Sequence, residues 1–510
     1  MKVRSMVAAL GGGLTGIAGW DLLQRHHTIL RNFPVVGHMR FILEAVGPEL
    51  RQYIVTDNNE ERPFSRDQRR WVYASSKLSN RYFGFGSDND LERTHSNYPI
   101  VKHSAFPVSA PDDEPNHPDP KMPLPAAKVV GGARNRAKAF RPSSLVNISA
   151  MSFGSLSGAA VTALNKGAAM AGALHTTGEG GVSRYHLNGG DLVWQIGTGY
   201  FGCRNEDGSF SLPRLIDRVA STPSIKAIEI KLSQGAKPGL GGMLPGAKVS
   251  PEIAKIRGIP CGKDCKSPAS HTAFRDVDGM LDLVETIADE TGLPVGIKSA
   301  VGQGTFWSDL AERMARTGRG VDFVTVDGGE GGTGAAPLVF SDHVALPFKW
   351  AFPRVYRAFA ERDLHHDVVF IGSGKLGIIE NALMAMAMGC DMINVARTAM
   401  FSIGCIQAQR CHTGRCPTGV ATQSRWLEHG LDPALKSVRC ANYIATVRFE
   451  LLTLGRACGY VHPALVPLDA IELLDADLQT VQADKVFGYE PGWGLPAPAD
   501  ADAITSVMVG

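Results

Sequence analysis

A surplus of charge of either sign is almost missing from this chain. Its 510 residues carry 52 lysines and arginines against 50 aspartates and glutamates, a formal net charge of +2. No basic or acidic surplus is left to meet a nucleic acid or a strongly charged partner. Long hydrophobic runs are missing too. The uncharged stretch from Ser5 to Trp20 is interrupted by glycines and falls short of the ~20 apolar residues a spanning helix needs. Cysteine is present but not as a framework. The nine cysteines are odd in number and scattered from Cys203 to Cys458, which excludes a small disulfide-stapled scaffold and favours a reducing compartment with free or ligating thiols. Three readings of the N-terminus stay open, because Lys2 and Arg4 precede the uncharged stretch. They are a membrane anchor or interfacial helix through residues 5–20, an ordinary packed helix, and a cleaved signal. The thiols speak against export, so the expectation is the cytoplasmic side, with anchoring to the inner membrane as the first reading.

What is abundant is glycine, 57 residues of it, which suits tight turns and close backbone approach to a ligand. The segment Ala110 to Pro125 is proline-rich and extended. From Leu145 the character changes. Eight short runs rich in β-branched and apolar residues follow: LVNISAM, ALHTTGEGG, LVWQIG, IKAIEIKL, PVGIKSA, DFVTVDGG, DVVFIGSG and DMINVAR. Amphipathic stretches such as DGMLDLVETIADETG separate them. Eight such units between residue 145 and about 400 predict an α/β fold, a (β/α)8 TIM barrel of the usual ~250 residues, with a doubly wound open sheet as the alternative. In a barrel the chemistry sits at the C-terminal strand ends, where this chain concentrates its glycines and charged residues.

Several motifs lie at those ends. In IKLSQGAKPGLGGMLPGAKV, Lys231 and Lys237 bracket a glycine-containing turn, which suits an anion, although two solvated lysines read equally well. VDGGEGGTGAAP lets backbone N–H groups crowd a ring or phosphate. GSGKLG, Gly372 to Gly377, matches a dinucleotide pattern but falls late in the barrel, so it reads as a phosphate loop. Three thiols, Cys405, Cys411 and Cys416, crowd CIQAQRCHTGRCPTG, one more than a disulfide uses and one fewer than a zinc site usually takes.

Together SAMSFGSLS, TTGEGG, IKLSQGAKPGLGG, GGTGAAP and CIQAQRCHTGRCPTGVATQ resemble the FMN-binding synthase domain of glutamate synthase. The chain is more closely similar to the stand-alone FMN-binding glutamate synthase-like proteins with an N-terminal hydrophobic segment. The resemblance implies a barrel holding FMN, and a [3Fe-4S] cluster on Cys405, Cys411 and Cys416, whose C-x5-C-x4-C spacing is the family's. It implies FMN contacts from Ser149, Ala150, Met151, Ser152, Gln195, Lys298, Gly328, Gly329, Gly331, Gly332, Thr333, Gly334, Gly372, Ser373, Gly374, Ala396 and Arg397. Lys298 would stand near the flavin N1–C2 edge. Glu179, Lys231 and Lys237 would be catalytic, with Lys231, Lys237, Arg257 and Met243 touching substrate. Cys390 is a minor candidate for a fourth ligand, and CGKDC (Cys261, Cys265) matches no family role. The expected division is a hydrophobic segment over residues 1–25, an N-terminal extension over 26–140, the FMN-binding barrel over 141–400, an iron–sulfur segment with closing helices over 401–466, and a tail over 467–510.

Two departures bear on substrate. Met243 stands where glutamate synthases have glutamine, with Leu240 replacing an acid in the same turn, and a methionine cannot donate a hydrogen bond. In VDGGEGG, Gly329 and Glu330 replace the family's histidine and aspartate. No cysteine precedes Cys203, so the glutaminase nucleophile of full-length glutamate synthases is not expected here. Three functions follow from the resemblance. The first is reductive amination of a 2-oxo acid such as 2-oxoglutarate, with electrons from ferredoxin or a separate NAD(P)H reductase subunit. The second is an amine or N-methyl amino acid dehydrogenase or synthase. The third is a membrane-associated electron-transfer module without small-molecule turnover.

Overall fold

Residues 2–79, 86, 97–111, 114–475 and 479–509 are described by a computed structural model of the chain. The chain divides into two compact units, residues 1–69 and 70–510.

The larger unit is built on a closed barrel of eight parallel strands. In chain order they are β1 (Val146–Ile148), β2 (His175–Thr176), β3 (Leu192–Ile196), β4 (Ile225–Lys231), β5 (Val295–Ala300), β6 (Phe323–Asp327), β7 (Val369–Ser373) and β8 (Met392–Val395). Each falls in one of the eight β-rich runs of the sequence, and β8 pairs with β1 to close the ring. The TIM-barrel expectation therefore holds and the open sheet does not. Seven of these strands are buried at every position, as strands covered on both faces must be.

Among its helices are α1 (Gly158–Ala171), α2 (Leu212–Ala220), α3 (Pro251–Arg257), α4 (Val277–Thr291), α5 (Thr305–Thr317), α6 (Phe348–Ala360), α7 (Ile379–Ala387), α8 (Arg397–Ser402) and α9 (Pro433–Ala457). Their limits have local causes. The Ser157 hydroxyl accepts from the Ala160 amide to open α1, and the Asp276 carboxylate accepts from Gly279 N–H to open α4. Gly172 and Gly292 end those helices in the left-handed conformation. Outside the barrel, Tyr98–Val101 pairs antiparallel with Ile471–Leu474, which pairs with Thr480–Gln482.

The smaller unit holds helices Lys2–Leu23 and His38–Leu50 joined through Thr28–Asn32. Asp21 is fully buried there, accepting from the Val35 amide at 2.8 Å and facing His38 Nε2 at 2.9 Å. The uncharged stretch is thus helical. None of the described helices is long and apolar enough to cross a membrane, so a spanning anchor finds no support among the described residues.

Candidate functional site

Lys231 is the last residue of β4, at the C-terminal end of the strand where barrel enzymes place their chemistry. The Lys231 Nζ stands 3.2 Å from Glu179 Oε2 and donates to Gln234 Oε1 at 2.6 Å. Lys237, in the following loop, is 5% exposed and makes no ion pair among the described residues. Arg257 ends α3, equally buried, with its guanidinium 5.2 Å from the Phe201 ring centroid and Nη2 donating to the Phe153 carbonyl at 3.4 Å. Its Nε is buried without a partner. Burial pushes the Glu179 carboxyl upward, but the charges of Lys231, Lys237 and Arg257 outweigh it and hold the group below the usual carboxylate range. Burial depresses the Lys237 ammonium, and Lys231 and Arg257 add to that while Glu179 opposes it. Three cations thus face one carboxylate in a buried place, a net positive charge that an anionic ligand would neutralise.

Glycine makes room for this group. A Cβ on Gly197 or Gly242 would stand 2.5 and 2.6 Å from the Glu179 carboxylate oxygens. Met243, the next residue, is 39% exposed on a short strand (Met243–Leu244) laddered to Cys265–Lys266. Cys265 is buried with its Sγ 3.9 Å from Arg257 Nη1, whereas Cys261 is exposed.

The residues expected around a flavin lie at neighbouring strand ends. Ser149 to Ser152 follow β1, with Ser152 Oγ 2.7 Å from Ser155 Oγ and 3.5 Å from Arg257 Nη2. Gln195 lies in β3 and donates through Nε2 to Glu229 Oε1 at 2.6 Å, while Thr325 donates to the other oxygen of that carboxylate. Lys298 in β5 stands 3.6 Å from the Asp327 carboxylate at the end of β6. The loop after β6 carries Gly328, Gly329, Gly331, Gly332, Thr333 and Gly334, while Gly372 and Ser373 end β7 and Gly374 opens the loop after it. They touch directly, since Gly328 N–H donates to the Ser373 carbonyl at 2.8 Å. Ala396 precedes α8 and Arg397 opens it, with the guanidinium donating to the Glu330 carbonyl. Lys375 lies near enough to Arg397 that the guanidinium adds to the depression its ammonium suffers from burial. Two neighbouring cations, one in the glycine-containing loop after β7 and one at the start of α8 after β8, suit a phosphate.

The three cysteines follow α8. The Cys405 carbonyl accepts from the Tyr73 hydroxyl at 2.7 Å. Cys411 and Cys416 lie near enough to interact electrostatically, and the same holds between each of them and Lys248. Burial opposes ionisation of Cys416, but the amides of Ala421, Thr418 and Val420 and the Thr418 hydroxyl hold its thiol below the ordinary value. Among the described residues no three His, Cys, Asp or Glu converge as ligands of one metal ion. A multi-iron cluster asks something else, thiolates spread over several irons and N–H donors to sulfur, and the amides around Cys416 are donors of that kind. Cys390 instead packs in the core, where a Cβ on Gly372 of β7 would stand 3.0 Å from its Sγ.

A family model for the conserved region in glutamate synthase matches residues 121–461. The chain belongs to the glutamate synthase family. It is 40% identical over 469 residues to a glutamate synthase large subunit-like protein, YerD, of Bacillus subtilis, covering 87% of this chain and 89% of that one. It is 31% identical to an archaeal-type glutamate synthase [NADPH] of Thermotoga maritima, over 68% of this chain and 64% of that protein's length. The corresponding enzyme of Methanocaldococcus jannaschii is 35% identical over 62% of this chain and 59% of its own. Solved structures of a mandelate oxidase (14% identical, TM-score 0.37, covering 83% of this chain and 96% of that one) and of flavocytochrome b2 (12%, 0.40, 89% and 89%) are too distant to bear on chemistry. Membership of the family makes the chain an oxidoreductase.

Within this glutamate synthase family frame, the structure adds residues that motif reading missed. His271 is buried, with Nε2 2.9 Å from the Lys231 carbonyl and Nδ1 3.1 Å from the Tyr200 hydroxyl, so it steadies the backbone that carries Lys231. Glu229, 1% exposed, makes no ion pair among the described residues and turns the Gln195 amide by accepting from it. Glu330, one of the departures from the family pattern, accepts from the Phe348 amide at the start of α6 and so serves the helix. Glu229 had a weak sequence signal, an acid inside an apolar strand. His271 had none.

Proposed function

We propose that this chain is an FMN- and iron–sulfur-dependent oxidoreductase acting on a C–N bond, with reductive amination of a 2-oxo acid as its reaction and 2-oxoglutarate as the first candidate. The observation that carries this reading is the convergence of buried Lys231, Lys237 and Arg257 on Glu179 at the barrel mouth. Such a cluster of buried cations suits a small anion bearing carboxylates, and it speaks against an electron-transfer module without small-molecule turnover.

In the balanced reaction a 2-oxo acid and ammonia lose water to form an imine, and two electrons and two protons convert the imine to the amino acid. FMN, when bound, would supply hydride chemistry at the imine carbon. Lys298, Gln195, the glycines after β6 and β7, Arg397, and Ser149 to Ser152 after β1 would hold it. Cys405, Cys411 and Cys416 would hold a [3Fe-4S] cluster, and ferredoxin or a separate NAD(P)H reductase subunit would supply electrons. Lys231, Lys237 and Arg257 bind and orient carboxylates. Glu179, kept ionised by those cations, takes or returns a proton at the substrate nitrogen.

A second reading, an amine or N-methyl amino acid dehydrogenase or synthase, draws on Met243. This residue stands beside Gly242 at the Glu179 carboxylate and offers a thioether where the family has an amide. Anaerobic turnover separates the two. Amination of 2-oxoglutarate by ammonia, with reduced ferredoxin as donor and glutamine as the control nitrogen source, supports the first. Bleaching of the flavin by N-methyl amino acids, without any such amination, supports the second. Protein purified with neither FMN nor iron would end both.

A further inference from the structure

Lys248 is a buried cation that neither the fold nor the substrate pocket accounts for. It sits in the LPGAKV segment just before α3, 5% exposed. Among the described residues no carboxylate lies within ion-pair distance of it. Its Nζ donates to two backbone carbonyls, Ser155 at 3.0 Å in the loop after β1 and Cys411 at 3.2 Å in the cysteine loop. Each neighbour leads onward. Ser155 Oγ donates to the Ser152 carbonyl at 2.9 Å, and Ser152 Oγ faces Arg257 at 3.5 Å. Lys248 therefore ties the cysteine loop to the segment that meets the substrate cations.

A lysine buried against carbonyls alone leaves a full charge poorly compensated. The groups that draw on this charge electrostatically are the Cys411 and Cys416 thiols, while Arg257 repels it. We propose that Lys248 is a positioning and potential-setting residue for the iron–sulfur cluster, holding the cysteine loop against the loop after β1 and lending its positive charge to the cluster. This rests on the cluster reading given above. A cation beside a cluster stabilises the reduced form, which carries one more negative charge, and so raises the reduction potential. Its two roles are separable. The carbonyl contacts need only an N–H donor, whereas the potential needs the charge.

The test is an EPR-monitored redox titration of anaerobically purified holoprotein, with iron and sulfide counted in each sample. K248R keeps charge and donors and should titrate with the wild type. K248Q keeps donors and loses the charge. It should load its cluster and titrate lower, by a shift equivalent to about tenfold in the reduced-to-oxidised ratio, which is about 59 mV for one electron. K248M loses both and should show the same fall together with reduced cluster occupancy. K248Q and K248M at the wild-type potential would overturn the proposal. If K248M alone lost its cluster while K248Q kept the wild-type potential, the lysine would be a strut only and the electrostatic claim would fail. Wild-type protein without iron would instead end the cluster reading itself, and this inference with it.

Discussion

Lys237 is where a single side chain most affects the proposed chemistry. It is buried, has no ion pair among the described residues, and is one of three cations that hold Glu179 ionised. Replacing it with methionine removes a charge without leaving a large cavity. The KM for 2-oxoglutarate should rise about 10- to 100-fold, the effect of losing a charge-assisted contact of about 1.5–3 kcal/mol. A second readout follows from the sign of the Glu179 shift. That carboxyl is depressed in the folded protein, so it stays ionised at pH values where an ordinary glutamate protonates. Without Lys237 part of the depression is lost, and the acid limb of the kcat/KM profile should move to higher pH. An unchanged acid limb in K237M would mean that Glu179 is not the group titrating there.

At the scale of the element, the barrel mouth is a set of loops whose backbones touch. The loop after β4 passes so close to the loop after β6 that a Cβ on Gly235 would stand 1.7 Å from the Gly328 carbonyl oxygen. Gly235 N–H also donates to Asp327 Oδ2 at 2.9 Å, so neither loop can retreat cheaply. Gly235→Ala should destabilise the protein by about 1–3 kcal/mol in urea unfolding, as overpacking does. It should also lower the FMN-to-protein absorbance ratio, because Gly328 belongs to the proposed flavin loop. Full flavin content in G235A would detach that loop contact from cofactor binding. The strands themselves were legible as apolar runs, since a strand buried on both faces needs side chains that lose nothing in leaving water. The two-residue β2 was legible only as part of a longer run, because pairing on both sides, not its own length, makes it a strand.

At the scale of the whole molecule, folding buries histidines that must stay neutral. His186 and His462 are fully buried, and burial pushes each down to about 4. Such a group binds its proton more readily when unfolded, so its contribution to stability is complete above about pH 6.5 and is lost as pH falls toward 4. Each should cost about 2 kcal/mol at pH 5 relative to pH 7, read as a fall in unfolding free energy from urea titrations at the two values. His462→Gln should flatten that dependence. A variant as pH-sensitive as the wild type would show that His462 is not among the groups responsible.

Much of this protein is determined by its sequence alone. The alternation of eight apolar runs with amphipathic stretches specifies a parallel α/β sheet, because each run must be covered on both faces and each stretch has one face to cover it; that the sheet closes into a barrel was decided by the pairing of β8 with β1. The glycine loops and the C-x5-C-x4-C spacing mark the candidate site, because local backbone geometry is written in neighbouring residues. What only the tertiary structure decided is which distant groups meet. Tyr98–Val101 finds its partner in Ile471–Leu474, His271 reaches the Lys231 carbonyl, Glu330 caps a helix, and Lys248 bridges Ser155 and Cys411. These contacts join residues far apart in the chain through single hydrogen bonds or short ladders. They leave no periodic trace in the sequence, because their geometry exists only after the barrel has closed.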